Sequence, residues 1–126
     1  MMDKDFFSQW LGIKILEVKT GFCKISMQVR KEMLNGFGIA HGGISYSFAD
    51  SALAFASNSG GKKSVSIETS IAHIEPLHEG EEITAIAECV TESEKLGHYQ
   101  ITVYNAKQNK IALFKGMVYK TSKIWD

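Results

Sequence analysis

The sequence predicts an α+β fold in which an antiparallel sheet of about six strands wraps around one long central helix, in a single domain over residues 1–126. Three observations carry this. Several segments alternate apolar and polar residues with a period of two. The links among the last four are short and polar, which suits hairpins and leaves no room for crossover helices. Between the second and third strand lies an alanine-rich run from Gly43 to about Ser59 that carries apolar residues on all its faces, so it needs cover on every side, from a wrapping sheet or a partner subunit.

Element by element, Asp3 to Trp10 forms a short helix that Gly12 ends. Ile13 to Val18 is a strand, Thr20-Gly21 a turn, and Phe22 to Val29 a second strand with Cys23, Ile25, Met27 and Val29 on one face and Lys24, Ser26 and Gln28 on the other. A glycine-rich loop, Asn35 to Gly43, leads into the central helix, where Ile44, Phe48, Ala52 and Phe55 recur at helical steps until Gly60-Gly61. Four strands follow, about Ser64 to Glu75, Glu82 to Glu92, His98 to Lys107 and Ile111 to Thr121, linked by Pro76 to Glu81, Ser93 to Gly97 and Gln108 to Lys110.

With 14 basic and 14 acidic residues, no charge excess points to a nucleic acid or to a membrane surface. A chain of this length buries about two-thirds of its unfolded surface and needs no disulfide or metal to do so. Cys23 and Cys89 each sit in alternating patterns and read as buried free thiols. The N-terminal residues lack the uninterrupted apolar stretch of a secretory leader, and we expect a cytoplasmic protein.

Chemistry concentrates in Asn35 to Ser57. His41-Gly42-Gly43 places backbone N–H groups with no side chains above them at the positive end of the central helix, where an anion or oxyanion would be held. The same glycines also serve a simple tight turn. Asp50 is the one charge in the helix; it calls for a cavity or a polar partner, and is a candidate base or nucleophile. A hydrogen bond to a serine or to backbone would satisfy it equally well. Gly42 and Asp50 are eight residues apart on one helix, a separation of about 12 Å. One carbonyl cannot touch both, so a site using both needs Asp50 from a second, antiparallel copy. Asn35 and His41 either orient a substrate or hold their own loop by hydrogen bonds.

The arrangement of elements resembles the hotdog fold. Asn35, His41-Gly42-Gly43 and Asp50, with Asn to His six apart and His to Asp nine apart, resemble the signature of the PaaI-type hotdog acyl-CoA thioesterases, the phenylacetic-acid-degradation family. The likeness continues through "SVSIETSIAHIEPLHEGEE" to the last strand. It implies a thioester hydrolase that acts on an aromatic or medium-chain acyl-CoA without metal or cofactor, in a homodimer with shared sites that pairs into a tetramer. It implies Gly42 as the oxyanion amide, Asp50 of the neighbouring subunit as the base or nucleophile, Asn35 and His41 as groups that position the thioester, and Ser66 as a hydroxyl that assists the water. Gly43 is expected beside the substrate carbonyl, and Tyr46, Phe55 and the Leu34 to Phe37 loop as walls of the acyl pocket. Lys62, Lys63, Lys107, Lys110, Lys115 and Lys120 are candidates for the coenzyme phosphates. Two residues depart from the family pattern: His73, where an aromatic or aliphatic side chain is common, and Glu81, where an Asp is usual. Neither is expected to touch the chemistry.

Other readings are weaker. The four histidines and two cysteines lack metal-ligand spacings. Gly43-Ile44-Ser45-Tyr46-Ser47 lacks the last glycine of a serine-hydrolase elbow. A hotdog enoyl-CoA hydratase would call for an acid before the histidine, whereas here it follows. A dimer that binds acyl-CoA without turning it over is the non-enzymatic alternative, and Asp50 in so apolar a helix weighs against it.

Overall fold

A computed structural model describes residues 1–125. Its first helix, α1, spans Phe6–Leu11, with Asp5 as N-cap and Gly12 closing it at a left-handed φ of 76°. The helix expected from Asp3 is therefore shorter: Met2–Lys4 form a separate 3₁₀ turn, because the Asp5 side chain accepts the Ser8 N–H and starts the helix there. The strands β1 (Lys14–Lys19) and β2 (Phe22–Gln28) pair around Gly21, at φ 72°. The central helix α2 covers Gly42–Ser57, and then come β3 (Lys62–His73), β4 (Glu82–Glu92), β5 (Leu96–Tyr104) and β6 (Lys110–Ile124).

All pairings are antiparallel, in the order β1-β2-β4-β5-β6-β3. The link from β3 to β4 is thus not the expected hairpin. β4 pairs with β2 and β5, while β3 lies at the far edge beside β6. The segment between them crosses under the N-terminal end of α2, pinned by Ala40 N–H to Leu77 O at 2.8 Å and Gly80 N–H to Val29 O at 2.7 Å, with the Leu77 side chain buried. Its short length and polar residues look like those of a hairpin turn, yet β2 offers β4 a register in which both apolar faces point inward.

The sheet curls around α2, which packs against every strand. Phe48, Ala49, Ala52, Leu53, Phe55 and Ala56 are buried against Ile25, Ile83, Ile101 and Phe114 from the sheet. Burying one such phenylalanine is worth about 1.5–3 kcal/mol, which anchors the helix far more strongly than its local propensities do. β6 comes close enough that a β-carbon on Gly116 would stand 2.5 Å from the Leu53 Cδ2. The cover is not complete within one chain: Tyr46, Ser47, Asp50, Ala54 and Ser57 form a half-buried stripe on the other flank. At the helix end the Asn58 amide bonds to Ala54 O (2.8 Å) and Ser64 O (3.2 Å), and its carbonyl accepts Ser64 N–H (2.8 Å). That clamp stops α2 and starts β3.

Candidate active site

The loop before α2 is built by its own polar side chains. Asn35 Oδ1 accepts the N–H of Phe37 (2.9 Å) and of Ile39 (3.4 Å), while Asn35 N–H donates to Ile39 O (2.8 Å). His41 is the N-cap of α2, and its Nδ1 accepts the Gly43 N–H at 3.2 Å. The Gly43 amide is thereby occupied. The Gly42 amide is the first of the helix, where no intrahelical carbonyl can reach it, and no described residue accepts it. It points an unpaired donor outward at the positive helix end, and of the two glycine amides it is the one open to a carbonyl oxygen.

His73, at the end of β3, stands directly over this position. Its Nε2 lies 3.3 Å from the point that a β-carbon on Gly42 would occupy. The sequence pattern gives no sign of this neighbour of Gly42, which β3 supplies by running past the helix entrance. Glu81, the other departure, closes a turn by accepting His78 N–H at 2.6 Å.

Asp50 lies two turns further along α2, half-buried, in a pocket of about 190 Å³ that it shares with Asp5, Phe7, Ser8, Tyr46, Ser47, Ser51 and Ala54. Burial and, after it, the negative charge of Asp5 push its carboxyl above the ordinary carboxylate range. Tyr46 stands one turn before Asp50; its hydroxyl bonds to Thr69 on β3, and its ring meets Phe114 edge-on. Leu34 is half-buried against the core, Phe37 is 91% exposed at the loop tip, and Ser66 is exposed on the edge strand and does not line the Asp50 pocket.

Within one chain, then, the loop residues and Gly42 form one half of the arrangement and Asp50 with Tyr46 the other. Gly42, Tyr46 and Asp50 stand on one continuous helix. Sequence reading missed Asp5, Phe7, Ser8 and Ser51 as neighbours of Asp50. The signal available was Asp5 three residues before Ser8, a capping pattern that locates α1 without saying where α1 packs. No cluster of three or more His, Cys, Asp or Glu side chains suited to a metal ion occurs among the described residues.

One long helix wrapped by a six-stranded antiparallel sheet is the arrangement of the hotdog fold. Residues 37–112 match the family model described as "Thioesterase superfamily". The chain is 42% identical over 98% of its length to an Archaeoglobus fulgidus protein named "Putative esterase", covering 80% of it. It is 35% identical to the acyl-coenzyme A thioesterase PaaI of Escherichia coli, over 95% of this chain and 86% of that one. The solved structure of the E. coli PaaI protein superposes with a TM-score of 0.96 at 34% identity, covering 98% of this chain and 90% of that one. The chain belongs to the thioesterase superfamily, as a PaaI-type hotdog acyl-CoA thioesterase.

Proposed function

We propose that the protein hydrolyses aromatic or medium-chain acyl-CoA thioesters in a dimer whose two sites are each built from both chains. The observation that carries this is the placing of an unpaired amide at Gly42 and the half-buried Asp50 on one helix, about 12 Å apart by helix rise. The thioester carbonyl accepts the Gly42 N–H of one chain. Asp50 of the second chain takes a proton from water as the water oxygen attacks the carbonyl carbon. The tetrahedral oxyanion is held at Gly42, the C–S bond breaks, and coenzyme A leaves as a thiolate that needs no dedicated acid. Asn35 and His41 hold the loop that aims the amide, and Ser66 assists the water. Phe7 and Tyr46 beside Asp50, together with Leu34 and Phe37 on the loop, give the acyl chain apolar walls.

The free edge of β3 is where a second copy would pair. β3 has β6 on one side only, and it exposes Val65 and Ile67, each 55% accessible, along its length. Pairing there would bring two α2 helices together, and pairs of such dimers give the tetramer. Cys23 and Cys89 are free thiols, which suits a reducing cytoplasm. Among the described residues no helix is long and apolar enough to cross a membrane.

The test is thiol release over a panel of acyl-CoAs, with hybrid dimers as the check on sharing. Gly42→Pro deletes the amide at a helix position that tolerates proline. Mixing it with Asp50→Ala leaves one intact composite site per hybrid, so activity should return to a fraction of wild type. No return in hybrids shown to form by mass spectrometry would place the site within one chain. Binding of acyl-CoA without thiol release would make the protein a binding module, and hydration of an enoyl-CoA without it a hydratase.

A further inference from the structure

The family model begins after residue 36, so it leaves α1 outside its match. Yet α1 forms one wall of the Asp50 pocket. Its attachment to α2 is polar and directional. Asp5 accepts the Ser8 N–H at 3.0 Å through Oδ1 and the Ser8 hydroxyl at 2.7 Å through Oδ2. Ser8 Oγ lies 2.8 Å from Ser51 Oγ, with both serines buried. A carboxylate can only accept, so the Ser8 proton is committed to Asp5 and Ser51 must donate to Ser8. The chain Ser51 to Ser8 to Asp5 therefore fixes the Asp5 carboxylate against the catalytic helix, next to the residue that follows Asp50 in sequence.

We propose that Asp5 is a positioning residue for hydrolysis: it locks the α1 wall of the Asp50 pocket and keeps a fixed negative charge facing the catalytic carboxylate. The inference rests on Asp50 being the base in the reaction proposed above. The described lining residues of this pocket come from α1, its cap and α2, and none comes from the sheet; its titratable members besides Asp50 are Asp5 and Tyr46. The Tyr46 hydroxyl is held by Thr69, which leaves Asp5 as the one other carboxyl lining the pocket with Asp50. A like charge makes ionisation of Asp50 harder, in the same direction as its burial. The pH at which the base switches on is then set partly by a residue that lies outside the span of the family model.

The experiment compares wild type with Asp5→Asn and Asp5→Ser. Both substitutes are good helix caps, so α1 should stay formed while the charge is removed. The ionisation midpoint of Asp50, followed by carbon-13 resonances of labelled aspartate without substrate, should fall in both variants. The acidic limb of kcat/KM should move to lower pH by the same amount. A merely structural role for Asp5 would lower rate or stability and leave both midpoints in place, and that result overturns the proposal. If the resonance midpoint moves and the rate profile does not, the charge coupling stands and the assignment of Asp50 as base fails.

Discussion

The His73 imidazole stands against the α-carbon of Gly42, with 3.3 Å between Nε2 and the point a β-carbon would fill. Two substitutions separate the amide of Gly42 from its lack of a side chain. Gly42→Pro removes the donor and should lower kcat by about 10²–10³, with little change in the unfolding midpoint. Gly42→Ala keeps the donor and asks only that the exposed His73 ring yield by a few tenths of an ångström. It should stay within about tenfold of wild type, the scale of a mild reorientation. Steady-state kinetics and a thermal melt on each variant check the pair.

Asp50→Asn should lower kcat by about 10²–10⁴, as expected for loss of a positioned base. It should also raise the melting temperature at neutral pH. The folded state holds the Asp50 carboxyl above its unfolded value, so the site favours the protonated form. Stability from that preference is complete below the unfolded pKa and is lost as pH rises through the folded one. The neutral amide escapes the loss. The stabilising effect should vanish below about pH 4, where wild-type Asp50 is protonated in both states. Calorimetry across pH would show it, and a lower melting temperature for the variant at pH 7 would contradict it.

Cys23 should resist thiol reagents in the native protein. Its side chain is completely buried, its Sγ lies 3.2 Å from Ala52 O, and burial pushes its thiol up to about 12. At pH 8 almost no thiolate is available to react. A maleimide should label Cys23 only after denaturation, while half-buried Cys89 reacts sooner. Peptide mass spectrometry of native and unfolded samples gives the order.

Gly116→Ala should destabilise by about 1–3 kcal/mol, the usual cost of forcing a methyl into a filled core. Leu53, 1% exposed, has little room to retreat from a new methyl at 2.5 Å. Urea unfolding measures the loss, and Leu53→Ala should reduce the penalty of adding it.

Much of the fold was legible because its pattern is local. The alternation of Cys23, Ile25 and Met27 and the three- and four-residue steps of α2 each report burial from nearest neighbours alone. The ends of β3 and β6 were less legible. β6 continues to Ile124 through a polar stretch, held on one side by β3, with Lys62 opposite Ile124. The site divides in the same way. Gly42 and Asp50 declare themselves by residue type and helix spacing. The meeting of Asp5 with Asp50, and of His73 with Gly42, is made by packing between segments far apart in sequence, which no local period encodes.

The strand order has a consequence for biosynthesis. β3 carries His73 to the helix entrance, yet its only neighbour, β6, is translated after two further strands. Through that interval on the ribosome, the nascent β3 has both backbone edges open and apolar side chains at Val65 and Ile67. Another nascent chain offers the same edge. A pause placed before β6 would therefore prolong the one stage at which two half-made molecules can join wrongly, whereas rapid completion closes it.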